Sequence, residues 1–168
     1  MNTPTQPVSP ASAELRRLFE QRIAILEGPK GTMTQARQLT EADFRGERFR
    51  HHPHDLRGDN DILCLTQPAL IEEFHRSFIA AGADIVSTNT FNGTRISQAD
   101  YQTEPFVAEL NRGAAQIAVR AARAGEDRHQ RRIFVAGTLG PTNRTASLSP
   151  DVNRPDYRAV TFDQLVAA

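Results

Sequence analysis

The strongest constraint on this chain is a repeated order: a short, mainly apolar run, then a loop of small and polar residues, then an amphipathic helical stretch. Ile23–Leu26 leads into Gly28–Thr32 (GPKGT), Asp84–Ser87 into Thr88–Thr94 (TNTFNGT), and Ile133–Ala136 into Gly137–Thr145 (GTLGPTNRT). Runs of this kind with no polar alternation predict strands covered on both faces, as in parallel sheets. Helical periodicity lies between them. One stretch begins near Thr66 or Gln67, with Pro68 in its first turn, an apolar stripe of Leu70, Ile71, Phe74, Phe78 and Ile79, and Gly82 beyond its end. Another starts near Ser97, is interrupted near Pro105, and resumes with Phe106, Val107, Leu110, Ala114, Ile117, Ala118 and Ala121 before Gly125. Strand, helix, strand units pack as parallel sheets with right-handed crossovers, so the class is α/β. The loops at the carboxyl ends of parallel strands share one face, where ligands bind. Residues 27–32, 88–94 and 140–144 are therefore expected to converge on one pocket.

The remaining segments bound the domain. Residues 1–13, rich in Pro, Ser, Thr and Ala, read as a disordered arm ahead of one domain over 14–168 that begins with a helix through Glu14–Gln21. Residues 33–66, mostly polar and without sustained periodicity, read as a long surface loop. TFDQLVAA, at the end, reads as the start of another amphipathic helix. An eight-stranded barrel takes about 250 residues, and only three to four of its β/α units can be counted here. A small open sheet and an incomplete barrel both satisfy this count.

Charge and cysteine content narrow the partners. Twenty basic and twenty acidic residues cancel, so no basic field exists to attract nucleic acid or an anionic membrane. The arginines between Arg120 and Arg132 have acids among them, Glu126 and Asp127, and read as a solvated face. No apolar run approaches the roughly 18 residues of a spanning helix, and the start lacks a secretory pattern, which together predict a cytoplasmic protein. Cys64, the single cysteine, can form neither an internal disulfide nor a multi-cysteine metal site. His51, His52 and His54 surround Pro53 in a spacing that fits no common zinc pattern. His75 reads as a boundary residue on its helix and His129 as part of a polar connection. GPKGT has neither Walker nor dinucleotide spacing, which argues against a nucleotide binder.

Several long, mostly polar strings carry a more specific signal: ILEGPKGT, DFRGERF, DLRGDNDILCLTQP, GADIVSTNTFNGT, ADYQ, GTLGPTNRTASLSPDVNRPDYR and TFDQLVAA. No general folding requirement specifies them. Together, from about Arg22 to Ala168, they resemble the amino-terminal homocysteine-binding domain of cobalamin-dependent methionine synthase. The resemblance implies the amino-terminal part of a TIM-type (β/α)8 barrel. It also implies a methyltransferase of methionine biosynthesis, which moves a methyl group from methylcobalamin to the homocysteine thiolate; a following module remethylates the cobalamin from methyltetrahydrofolate. Zinc lowers the thiol pKa in that chemistry. The family's zinc is held by three cysteines on later strands of the barrel, and Cys64, ahead of the first long helix, does not match them. The chain alone is thus expected to bind neither zinc nor cobalamin, to contain no catalytic residue, and to be inactive unless another chain supplies the rest of the barrel and the folate- and cobalamin-binding modules. A non-catalytic binding module or one half of a split homocysteine S-methyltransferase is the alternative.

The resemblance points to Glu27, Gly28, Asn89, Thr90, Gly140 and Asn143 as substrate-binding positions. Glu27 stands where the family usually has aspartate and could accept from the substrate ammonium; a solvated or helix-capping acid is the other reading. Asn89 and Thr90, with Asn92 nearby, suit a zwitterionic amino acid, or else serve the backbone of their own turn. Gly140 permits close backbone approach in the third loop, which Pro141, Thr142 and Asn143 help to shape. Three further positions depart from the family pattern. Pro29 and Lys30 replace a glycine and a methionine, and Ser87 replaces a glutamate.

Overall fold

The computed structural model describes residues 9–168. The first eight residues of the expected arm lie outside that range. The first helix, α1, already begins at Pro10 and runs to Gln21, four residues earlier than periodicity alone places it. Ser9 caps it by accepting from the Ser12 amide at 3.2 Å, and Pro10 occupies the first turn, where a missing amide costs nothing.

Two strands pair in parallel: β1, Ile85–Ser87, and β2, Phe134–Ala136, with Val86 opposite Val135. The connection between them carries α6 (Arg95–Gln98) and the long α7 (Val107–His129). The helix before β1, α5, spans Pro68–Ala80 and buries Ile71, Phe74 and Ile79 on its expected stripe; it ends where Gly82 takes φ +108°. It packs along α7, whose inner face presents Leu110, Ala114, Ile117, Ala118 and Ala121. Gly125 does not end α7. A Cβ there would stand 2.6 Å from Ile79 Cγ2 and 2.8 Å from Ile133 Cδ1, so glycine is what lets α7 approach α5 and β2 so closely.

The first apolar run departs from expectation. Residues 23–26 form no strand beyond one bridge, Leu26 to Ile85, supported by the Asp84 and Ile85 amides donating to the Ile25 carbonyl. Ile23 is 88% exposed, Ile25 54% and Leu26 58%. The run was expected to be covered on both faces, but these three side chains remain more than half exposed. Arg22 anchors the segment instead, through two 2.6 Å hydrogen bonds to the Asp84 carboxylate, which also takes the Ile25 amide at 3.0 Å. These donors hold the Asp84 carboxyl below its usual range, the Arg22 hydrogen bond first among them.

Residues 33–66 are likewise not a plain surface loop. They contain the end of α2 (Lys30–Ala36), then α3 (Glu41–Arg45) and α4 (Leu63–Thr66), and they supply Phe44, Phe49, Leu56, Ile62 and Leu63 to the core beside Ile71, Phe74 and Leu110. The segment is stapled by side chains rather than by a ladder. Thr40 and Asp43 form a capping box at α3. Arg45 donates to the His52 and His54 carbonyls, and Glu41 accepts the Leu56 and Arg57 amides at 2.8 and 2.7 Å. Such bonds satisfy an irregular backbone that has no period to read. The last element, α8 (Phe162–Ala167), forms where TFDQLVAA predicts it, capped reciprocally by Thr161 and Gln164.

Candidate functional site

At the carboxyl ends of β1 and β2 a cavity of about 300 Å³ is lined by Lys30, Gly31, Asn60, Asp61, Ser87, Thr88, Asn89, Phe91, Asn92 and Thr138. Four of these, Thr88, Asn89, Phe91 and Asn92, come from the segment after β1 that the strand-end rule nominates. Asn60 and Asp61 come from the stretch expected to be an uncommitted loop. Their signal was present in the polar string DLRGDND, but no period or motif assigns them a place.

Behind Lys30 and Ser87 on one wall lies an ionic cluster. The Glu27 side chain is 1% exposed and that of Lys30 12%. Glu27 Oε1 accepts from Lys30 Nζ, from the Ser87 amide at 2.7 Å and from Ser87 Oγ at 2.7 Å, while Oε2 accepts from His75 Nδ1 at 2.9 Å. Lys30 Nζ also donates to the Ser87 carbonyl and to Ser87 Oγ, each at 3.0 Å. Burial alone would raise the Glu27 carboxyl; the bonds from His75, Lys30 and Ser87 outweigh it and bring it down to about 2. The two departures Lys30 and Ser87 therefore act together, each contacting the longer Glu27. His75 is no boundary residue: it is fully buried, with Nδ1 on Glu27 and Nε2 without a partner among the described residues.

The other named positions divide. Asn89 lines the cavity, donating to the Asn60 carbonyl at 2.7 Å and to Cys64 Sγ at 3.6 Å. Thr90 lies just behind it, bonded to Thr88 Oγ1 and donating to the Thr138 carbonyl at 2.8 Å, which ties the second loop to the third. Gly140 reinforces that tie: its amide donates to the Phe91 carbonyl at 3.2 Å, and a Cβ there would fall 2.3 Å from the same oxygen. Gly28 packs on Phe78, where a Cβ would meet the ring at 2.6 Å. Asn143 is outside the cavity and donates to Asp100 Oδ2 at 2.6 Å on the surface. The third loop thus reaches the pocket through Thr138, not through Gly140 or Asn143.

The donor set does not fit a zinc ion. Cys64 is buried, donates to the Asn89 carbonyl at 3.5 Å, and has its thiol pushed up to about 12, chiefly by burial. His52 donates to the Tyr101 carbonyl and His54 to that of Asp55. Among the described residues no three His, Cys, Asp or Glu side chains gather in a ligating group. No described helix is long and apolar enough to cross a membrane.

Residues 24–168 match the family model described as homocysteine S-methyltransferase. Two solved structures share the fold. Both are of the homocysteine methyltransferase MmuM from Escherichia coli: the metallated form at 24% identity and TM-score 0.58, the oxidized form at 23% and 0.57, each aligned over 76% of this chain. The chain spans only about two-fifths of their length, 41% and 40% respectively.

Proposed function

The chain belongs to the homocysteine S-methyltransferase family, and on that premise we propose that its strand-end cavity is the amino-acid end of a homocysteine site in a TIM-type barrel. The supporting observation is the lining itself. Asn60, Thr88, Asn89 and Asn92 offer uncharged donors and acceptors beside one carboxylate, Asp61, in a space that suits a small zwitterion. Phe91, 54% exposed at the rim, offers an apolar surface to the thiol-bearing methylenes.

The work of this chain in methyl transfer to homocysteine is to hold and orient the substrate. Deprotonating the sulfur requires a cation or base near it, and the residues here supply no zinc ligand set. Further barrel units provide that activation in this reading, and methionine synthase, with cobalamin as methyl carrier in a cytoplasmic setting, is the subtype that the long polar strings favour. Isothermal titration of L-homocysteine into the purified chain tests the binding claim, with saturable heat expected; none would refute it. Methionine formation from methylcobalamin should be absent with the chain alone and appear when the complementary barrel units are co-expressed. Turnover by the unaided chain would overturn this division of labour.

A further inference from the structure

The carboxylate expected to meet the substrate ammonium is Glu27, yet its bonds leave it no capacity to do so. An ammonium carries three donors. All three of Lys30 have acceptors, in Glu27 Oε1, the Ser87 carbonyl and Ser87 Oγ. Glu27 in turn spends Oε1 on Lys30 and Ser87 and Oε2 on His75. A ligand could reach this carboxylate only by displacing a buried lysine from its counter-ion, and Glu27 itself is absent from the cavity wall.

Asp61 is in the opposite condition. It is 2% exposed, stands on the cavity wall, and has one oxygen, Oδ2, bonded to the Asn92 amide at 2.5 Å. Its other oxygen meets no donor among the described residues. Two positions earlier Asp59, 1% exposed, accepts from Gln98 at 3.0 Å through Oδ1, while its Oδ2 has no partner among the described residues. The charged and titratable groups around Asp61 are Asp59, Lys30, Cys64 and Tyr101, and the only cation among them is already committed to Glu27. A buried carboxylate with one oxygen lacking a donor and with no free counter-ion is costly, and a ligand ammonium supplies both.

We propose that Asp61, rather than Glu27, is the residue that recognises the ammonium group of the amino-acid ligand in this cavity. The assignment rests on reading the cavity as a homocysteine site. Burial, with the neighbouring Asp59 charge, pushes the Asp61 carboxyl up to about 7, so ammonium binding should strengthen as Asp61 ionises across neutrality.

The test compares L-homocysteine with 4-mercaptobutanoate, which lacks only the amino group, by isothermal titration of the intact chain and Asp61→Asn between pH 6 and pH 8. At pH 8 the substitution should weaken homocysteine at least tenfold and leave 4-mercaptobutanoate unchanged. In the parent chain, homocysteine affinity should rise from pH 6 to pH 8 while that for 4-mercaptobutanoate does not; this arm needs no variant to fold. Parent-like homocysteine binding by Asp61→Asn, equal loss of both ligands, or a flat parent profile overturns the assignment alone. Absence of homocysteine binding by the parent at every pH overturns the homocysteine-site reading and the assignment with it.

Discussion

Replacing Glu27 by glutamine leaves the shape of the ionic cluster and removes its negative charge, so the Lys30 ammonium, 12% exposed, loses its counter-ion. The cost can be worked in two ways. A carboxyl brought from 4.5 to about 2 corresponds to about 3 kcal/mol favouring the charged, folded form. Breaking a buried ion pair from one side costs roughly 3–5 kcal/mol in general. Glu27→Gln should therefore destabilise the fold by about 3 kcal/mol at pH 7, read from urea unfolding followed by circular dichroism. Removing both charges in Glu27→Gln/Lys30→Met should recover most of that loss, because no unpaired charge remains. The pH dependence has a definite sign. The folded-state pKa is lowered, so the stabilisation is complete above about pH 4.5 and is lost as pH falls toward 2. Glu27→Gln should flatten that part of the curve. A loss under about 1 kcal/mol, or a double variant no more stable than the single one, would refute the view of this cluster as a closed charge pair.

Other outcomes follow from the same contacts. Gly140→Ala places a Cβ against the Phe91 carbonyl, which no rotamer relieves, and should cost about 1–3 kcal/mol in a thermal melt; an unchanged midpoint would show that the two loops are not held as described. Cys64, buried and with a raised thiol pKa, should react with a disulfide reagent at pH 8 far more slowly in the native chain than in urea, and equal rates would contradict its burial. Ile23, Ile25 and Leu26 form an exposed apolar stretch beside an edge with few ladder bonds, so sedimentation should show concentration-dependent association that Ile25→Lys reduces. A monomer at all concentrations would remove that expectation.

How much was legible in the sequence depended on whether a local rule governed the segment. The stripes of α5 and α7, the strands at 85–87 and 134–136 and the helix start in TFDQLVAA each follow from local pattern, because burial of one face acts within a turn or two; the run at 23–26 has the same apolar character but forms only one bridge. Arg45 reaching His52 and Glu41 reaching Leu56 have no such period, and so the packed segment 33–66 read as a loop. The family was legible in long polar strings for the converse reason, that folding alone does not demand them.

The chain's order of elements, its α/β character and the face on which its loops gather were determined by the sequence, since they rest on neighbours in the chain and on the handedness of parallel connections. Which side chains stand at the cavity was decided only by tertiary structure. Glu27 faces inward because Lys30, Ser87 and His75 meet it there from three separate elements, and Asp61 reaches the wall because α4 and its approach pack into the core. Electrostatic partnership between residues dozens of positions apart depends on distance in space, and no pattern along the chain encodes it.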